Sequence, residues 1–266
     1  MLVVKIGGAS GVNIKNVCQD IVALRRTETS LVIVHGGSSE TNALAEQLGH
    51  PPRFVTAASG HVSRVTDRRT LEIFIMATAA LNRRLVEELQ LFGVNAFGLS
   101  GIDGRVLEAR RKDAIRIIEN GRPRVIRDDW TGAPTRVNAE LISALLAANT
   151  LPIVAPLGIS SRGEALNVDG DRAAAAIAGA MRAETLILLT NTPGVLRKFP
   201  DESSVIARLP KEELNSSATF AQGRMLKKML GAQEALAAGV RRVVVSDGRK
   251  ANPISAALQG EGTIIE

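Results

Sequence analysis

Aromatic residues are scarce in this chain. They make up 3% of its 266 residues, and tyrosine is absent. A surface that stacks single-stranded bases needs such rings, so a nucleic-acid platform of that kind is not expected. Cysteine occurs once, as Cys18. An intrachain disulfide is therefore impossible, and a reducing, cytoplasmic setting is the natural expectation. Cys18 falls among apolar helical positions and is expected to be a small core residue. No apolar run approaches the ~20 residues that span a bilayer. Met1 leads directly into a strand without a basic leader, so no signal peptide is expected.

Several catalytic signatures are also missing. No GxxxxGK followed by Ser or Thr is present, which excludes a P-loop enzyme, and no GxGxxG follows a strand. HExxH and CxxC are absent and the three histidines are scattered, so a zinc site is not expected. The GxSxG of a serine hydrolase elbow is absent as well.

What is present is a globular α/β composition. Hydrophobic residues make up 45% of the chain, and its length suits one large domain or two small ones. The formal charge is +6. Arginine doublets recur at 25–26, 68–69, 83–84, 110–111 and 241–242. Such a balance permits an acidic partner, although any single arginine is as readily explained by a solvated face.

The most informative stretch is Val3-Val4-Lys5-Ile6-Gly7-Gly8, with a second version at Leu31-Val32-Ile33-Val34-His35-Gly36-Gly37. Each reads as a buried strand emptying into a Gly-Gly turn. Glycine pairs let backbone N–H groups approach an anion closely. Taken alone, the pairs fit ordinary βα turns as well as a phosphate cradle. Between them, 13–26 reads as a helix, so the two strands form one right-handed βαβ unit and both turns open at the same carboxyl edge. Open α/β sheets bind ligands there, which favours the cradle.

Further along, 39–48 and 68–92 read as helices, with Asp67 as cap and Gly93 as stop. Residues 53–66 read as turn-rich, and 96–99 as a strand. Asn120-Gly121 between apolar runs signals a hairpin. Helix 139–148 and strand 151–155 follow, then a loop at 156–163. Helix 172–182, strand 185–189, helix 222–238, strand 242–246, helix 253–258 and strand 263–265 complete the chain. This alternation predicts a three-layer αβα sandwich on a mainly parallel open sheet. A soft boundary near 165 divides it into an N-terminal lobe, 1–164, and a C-terminal lobe, 165–266.

Lysine in a buried strand is costly unless it has a task or points out at an edge, which makes Lys5 a candidate. Asp169 and Asp171 open a helix, and capping alone would account for one of them. Lys227 and Lys228 lie on a helix, where lysines are usually solvated.

Read together, Lys5-Ile6-Gly7-Gly8, His35-Gly36-Gly37, Arg64, Asn167-Val168-Asp169-Gly170-Asp171 and Gly223-Arg224-Met225-Leu226-Lys227-Lys228 resemble, in order and along the whole chain, the amino acid kinase family. Within its acylglutamate kinase branch, 36–42, 49–54 and 63–68 are most similar to kinases acting on aminoadipate borne by a small acidic carrier protein, LysW. N-acetylglutamate kinases and carrier-linked glutamate kinases are the near alternative; a non-catalytic nucleotide sensor is the distant one. The resemblance implies the amino acid kinase fold and transfer of phosphate from ATP to a side-chain carboxylate, with Mg2+ riding on the ATP phosphates and no protein-held metal. It implies that Lys5 and Lys228 grip the phosphoryl group, that Asp171 holds both lysines, and that N–H groups of Gly7, Gly8, Gly36 and Gly37 bind phosphoryl oxygens. Arg64 and Asn167 would bind the amino-acid end, together with Gly36 and Gly37. Thr190, Asn191, Gly194, Val195 and Lys198 would line the nucleotide pocket. A homodimer through the N-terminal half is implied, with helix 68–92 as one candidate interface. The resemblance implies no arginine feedback, because the additional N-terminal helix of arginine-inhibited relatives is not seen. A basic rim containing Arg110, Arg111, Lys112, Arg116, Arg122 and Arg124 is expected to steer the acidic carrier.

Overall fold

The computed structural model of the chain describes residues 1–26, 30–56, 62–111, 114–119, 122–221 and 223–266. Its elements in order are β1 (Leu2–Ile6), α1 (Ile14–Leu24), β2 (Leu31–His35), α2 (Ser38–Gln47), β3 (Phe54–Thr56), β4 (Val62–Arg64), α3 (Arg68–Leu91) and β5 (Ala96–Ser100). There follow β6 (Leu107–Arg111), β7 (Ile115–Glu119), β8 (Arg122–Ile126), β9 (Thr131–Val137), α4 (Ala139–Ala147), β10 (Leu151–Ala155), β11 (Leu157–Ile159) and β12 (Ala165–Val168). The last are α5 (Gly170–Ala180), β13 (Thr185–Thr190), β14 (Arg208–Leu209), α6 (Gly223–Ala237), β15 (Arg242–Asp247), α7 (Pro253–Leu258) and β16 (Thr263–Ile265).

Eight strands make one sheet in the order β14-β16-β15-β13-β1-β2-β10-β5. Every neighbouring pair is parallel except β15 with β16. Strand period dictates the layers. Leu2, Val4, Ile6, Leu31 and Ile33 pack with α1, α3 and α7, while Val3, Val32 and Val34 pack with α4, α5 and α6. Covered on both faces, the central strands read as continuous apolar runs, and β1 is buried at all five positions. This is the expected three-layer sandwich. Lys5 shares a face with Val3, so alternation alone aims it toward α5 and α6. Strand β1 pairs β2 on one side and β13 on the other. Its carboxyl end is thus a point where the chain's connections part to either side, where α/β sheets hold ligands.

Caps behave as the sequence suggests. Asp67 accepts from Thr70 N at 2.7 Å, and Gly93 takes φ +76° after α3. Cys18 is buried, and desolvation pushes its thiol up to about 12. Among the described residues, no helix is long and apolar enough to cross a membrane. Strands β7 and β8 pair antiparallel as expected of a hairpin, though its Asn120-Gly121 turn lies outside the described residues, as does Gln222.

Two stretches read as loops are strands. Residues 54–56 and 62–64 form the antiparallel pair β3–β4. Within the loop expected at 156–163, residues 157–159 form β11, which joins β12, β6 and β9 in a small closed barrel. Three- and four-residue strands carry too little alternation to be read from sequence; distant partners define them.

Candidate active site

Three charged side chains from distant parts of the chain meet at the carboxyl edge of β1. Lys5 Nζ lies 2.9 Å from Asp171 Oδ1. Lys228 Nζ lies 3.1 and 3.2 Å from the two oxygens of the same carboxylate. Lys5 and Asp171 are 6% exposed and Lys228 8%. Each partner is set by its element. Asp169 is the cap of α5, accepting from Asp171 N and Arg172 N at 3.0 and 3.2 Å. That leaves the Asp171 side chain, two residues into the helix, available to the lysines. Helix α6 comes close because Gly231 has no side chain: a Cβ there would stand 3.2 Å from the backbone of Asp171. A three-point ion pair between Arg172 and Glu234 (2.6–3.0 Å) clamps the same two helices. Lys227, one residue from Lys228, points to Asp169 instead, at 4.0 Å.

The electrostatics are those of a buried triad with one carboxylate and two ammonium groups. Burial opposes the Asp171 charge, but Lys228 and then Lys5 outweigh it and hold this carboxyl well below the usual range. Burial, with repulsion from Lys5, lowers Lys228 despite the attraction of Asp171. The triad carries a net positive charge, suited to an anion.

The glycine turns face this triad and touch each other. Gly36 N donates to Ile6 O at 2.9 Å and Ser39 N to Gly8 O at 2.8 Å. A Cβ on Gly8 would collide with the backbone of Gly36 and Gly37, and a Cβ on Gly7 would sit 2.7 Å from Leu189 O. Only glycine permits this approach. The turns, the triad and both halves of the sheet edge line one cleft of about 1390 Å3.

Arg64 and Asn167 also line the cleft. The Arg64 guanidinium lies over the Phe54 ring, donates to Ser38 O at 3.3 Å, and leaves Nη1 buried with no partner among the described residues. Burial, then the nearby Arg224, pushes it down to about 10. Asn167 Nδ2 donates to Thr66 Oγ1 at 3.0 Å, and Thr66 N donates to the buried Asp129 carboxylate at 3.1 Å. Thr190 and Asn191 lie on the cleft wall. Gly194 and Val195 sit behind it: Val195 is fully buried and its N–H donates to Thr263 Oγ1 at 2.8 Å. Lys198 is exposed on the adjoining loop, its N–H on Ser204 Oγ at 3.0 Å. Phe199 and Glu202 line the cleft without having been singled out in the sequence, and so does Arg224, which belongs to a quoted motif but was given no role. The 76% exposed Phe199 carries no pattern that would have marked it.

The expected basic rim needs correction at Arg111. Its guanidinium stacks on Trp130 at 3.8 Å, donates to Asp129 O at 2.9 Å and pairs with Glu164 at 3.2 Å, so it braces the small barrel. Arg110 and Arg124 are exposed. Arg116 and Arg122 are strand residues of the hairpin, and Lys112 lies outside the described residues. Among the described residues, no cluster of three or more His, Cys, Asp or Glu could hold a metal.

Residues 1–247 match the amino acid kinase family. The chain is 54% identical over its full length to the LysW-aminoadipate kinase of Deinococcus radiodurans, covering 91% of that protein. It is 50% identical to the LysW-aminoadipate kinase of Thermus thermophilus, with both chains covered completely. Carbamate kinase from Giardia lamblia bound to AMP-PNP shares the fold, with a TM-score of 0.67 at 16% identity over 99% of this chain and 97% of that one. With a family match that spans most of its length and relatives this similar, the chain belongs to the amino acid kinase family.

Proposed function

We propose that this chain transfers the γ-phosphoryl group of ATP to the side-chain carboxylate of L-2-aminoadipate carried on LysW. The observation that carries the reading is the Lys5–Asp171–Lys228 triad facing two glycine turns. The names of the two relatives at half identity supply the substrate.

The nucleophile is already an anion, so no general base is required. A carboxylate oxygen attacks the γ-phosphorus, the bond to the β–γ bridging oxygen breaks, and ADP leaves with that oxygen and its electron pair. The difficulty is that an anion must approach a polyanion. Catalysis is then positioning and charge neutralisation. Lys5 and Lys228 neutralise the transferring and leaving phosphates, and Asp171 fixes their ammonium groups while surrendering only one of two positive charges. Backbone N–H groups of Gly7, Gly8 and Gly37 cradle phosphoryl oxygens; the Gly36 N–H, expected to join them, is already donated to Ile6 O. Arg64 offers its unpaired Nη1 to a substrate carboxylate, and Asn167 orients the amide. The nucleotide lies over the C-terminal lobe, 165–266, along Thr190 and Asn191, with Gly194 and Val195 shaping that wall from behind and Lys198 exposed on the adjoining loop. The acyl-amino acid occupies the N-terminal lobe, 1–164. In this reading Mg2+ enters on the nucleotide's own phosphates. A homodimer and a cytoplasmic location belong to the same reading.

Hydroxylamine trapping of the acyl phosphate tests it. With ATP and Mg2+, LysW-linked aminoadipate should give hydroxamate faster than N-acetylaminoadipate or N-acetylglutamate. No product with any of them overturns the kinase reading, and preference for N-acetylglutamate overturns the substrate. The two acids differ by a methylene, which a pocket discriminates by only ~1–3 kcal/mol.

A further inference from the structure

Behind the glycine turns lies a buried polar pair that phosphoryl transfer, as described, leaves unused. His35, the last residue of β2, is fully buried, and Asn82 of α3 is 2% exposed. His35 Nδ1 lies 2.6 Å from Gly36 O, and Nε2 lies 3.1 Å from Asn82 Nδ2. The same Asn82 nitrogen lies 2.9 Å from Ile153 O and 3.4 Å from Leu99 O. Carbonyl oxygens only accept hydrogen bonds. The amide must therefore turn its nitrogen toward β5 and β10, because a flipped amide would set oxygen against oxygen. Asn82 Oδ1 has no partner among the described residues and packs against Gly98, where a Cβ would strike it. The two hydrogens of the Asn82 amide then serve the nearer acceptors, Ile153 O and His35 Nε2, so Nε2 must carry the lone pair. The single imidazole proton sits on Nδ1 and donates to Gly36 O. Burial, opposed by that bond and reinforced by Lys5, pushes the imidazole down to about 4, so the ring is neutral near pH 7.

The consequence falls on Gly37. The Gly36–Gly37 peptide is planar and trans, so its C=O and N–H point in opposite directions. A carbonyl held back against His35 aims the Gly37 N–H the other way, toward the cleft that Gly37 lines. That N–H has no acceptor among the described residues. We infer that His35 and Asn82 are positioning residues: Asn82 fixes the tautomer of His35, and His35 aims the Gly37 N–H at the transferring phosphoryl group. The inference rests on the kinase reading above.

Two measurements test it. In 15N-histidine spectra of the unmodified protein, one of the three histidines should be neutral and protonated on Nδ1. Asn82→Leu should convert that signal to Nε2–H or to a mixture. In kinetics, His35→Asn keeps an N–H donor at the place of Nδ1, whereas His35→Gln moves the donor to the place of Nε2. His35→Asn should stay within about threefold of the unmodified kcat, while His35→Gln and Asn82→Leu should lose about tenfold or more, short of the ~10²–10³-fold of deleting a donor outright. KM for ATP should hold in all three. Affinity for ADP with aluminium fluoride should fall in step with kcat, while affinity for ADP alone should not. Equal kcat in His35→Asn and His35→Gln overturns the inference, and so does an Nε2–H tautomer in the unmodified protein. The tautomer measurement needs neither a variant that folds nor turnover. A kinase reading that fails in the hydroxamate assay is thereby told apart from a wrong assignment of His35.

Discussion

Replacing Asp171 by asparagine removes a single charge and almost no volume, yet it leaves two buried ammonium groups without a counter-ion. Lys5 and Lys228 sit 2.9 and 3.1 Å from this carboxylate. At such a distance and an effective dielectric of ~20, each attraction is gross about 5 kcal/mol. Desolvation and repulsion between the lysines return much of that. Truncating a partner of a buried pair nevertheless costs about 3–5 kcal/mol, because the remaining charge is uncompensated. The protein has two ways to relieve this. It can lose stability, or one lysine can shed its proton. Lys228 is already held below the ordinary lysine value by burial and by Lys5, so it is the one to deprotonate.

Deprotonation of Lys228 removes a cation from the leaving phosphate. We expect kcat for Asp171→Asn to fall by about 10²–10³-fold, the range for loss of a charge-stabilising donor. The alkaline limb of kcat against pH should move to lower pH, since less base is needed to strip the ammonium. KM for ATP should rise only modestly, because the glycine turns remain. A second variant separates charge from folding. Adding Lys228→Met to Asp171→Asn removes one of the two stranded charges, so the double variant should melt higher than Asp171→Asn alone while remaining inactive. Rates come from coupled ADP release, pH limbs from initial rates, and stability from urea titration. An Asp171→Asn enzyme that keeps its kcat and its alkaline limb would refute the counter-ion argument.

Other outcomes follow from the same contacts. Gly8→Ala places a methyl group against the backbone of Gly36 and Gly37, which has no flexible end to yield. Initial-rate kinetics should show a kcat loss of about 10²-fold or more, with a stability loss of about 1–3 kcal/mol. Asp20, buried in α1, accepts from Ile254 N, Ser255 N and Ser255 Oγ at 2.6, 2.9 and 2.5 Å, and so caps α7. Asp20→Ala should lower urea stability by about 2–3 kcal/mol and leave kcat of the folded enzyme unchanged. Acid stability has two contributors of the same sign. His35 is lowered from 6.5 to about 4, so the unfolded chain takes up a proton first, and stability falls by about 3 kcal/mol as pH drops from 6.5 to 4. His35→Asn should flatten that slope in urea titrations. Asp171, held well below the usual carboxylate range, stabilises above that range, and this contribution is lost as pH falls below it.

How far the site was legible from sequence depends on the range of the interaction that defines each residue. Lys5 was visible because one lysine interrupts a run that burial explains at every other position, a signal carried by five consecutive residues. The glycine turns were visible for the same local reason. Asp169 and Asp171 could not be separated in this way. Either could cap, and the choice hinges on where α5 begins, a matter of one residue at an element boundary. Lys227 and Lys228 posed a rotational version of the problem: one step along a helix turns a side chain by about 100°, enough to exchange a half-buried cation facing Asp169 for a buried one on Asp171.

What stayed hidden is what only tertiary contact defines. Arg111 counted as one more charge on a basic arm until Trp130 and Glu164 were seen to occupy it. The β11–β12 strands exist because β6 and β9 close a barrel around them. His35 and Asn82 stand 47 positions apart, and neither sits in a pattern that betrays the other. Their role emerges only from a chain of forced choices. Two carbonyls orient an amide, the amide selects a tautomer, and the tautomer pins a carbonyl whose peptide partner faces the cleft. No single link in that chain is strong. The direction of the Gly37 N–H follows because the alternative at each link sets like against like, oxygen facing oxygen or N–H facing N–H.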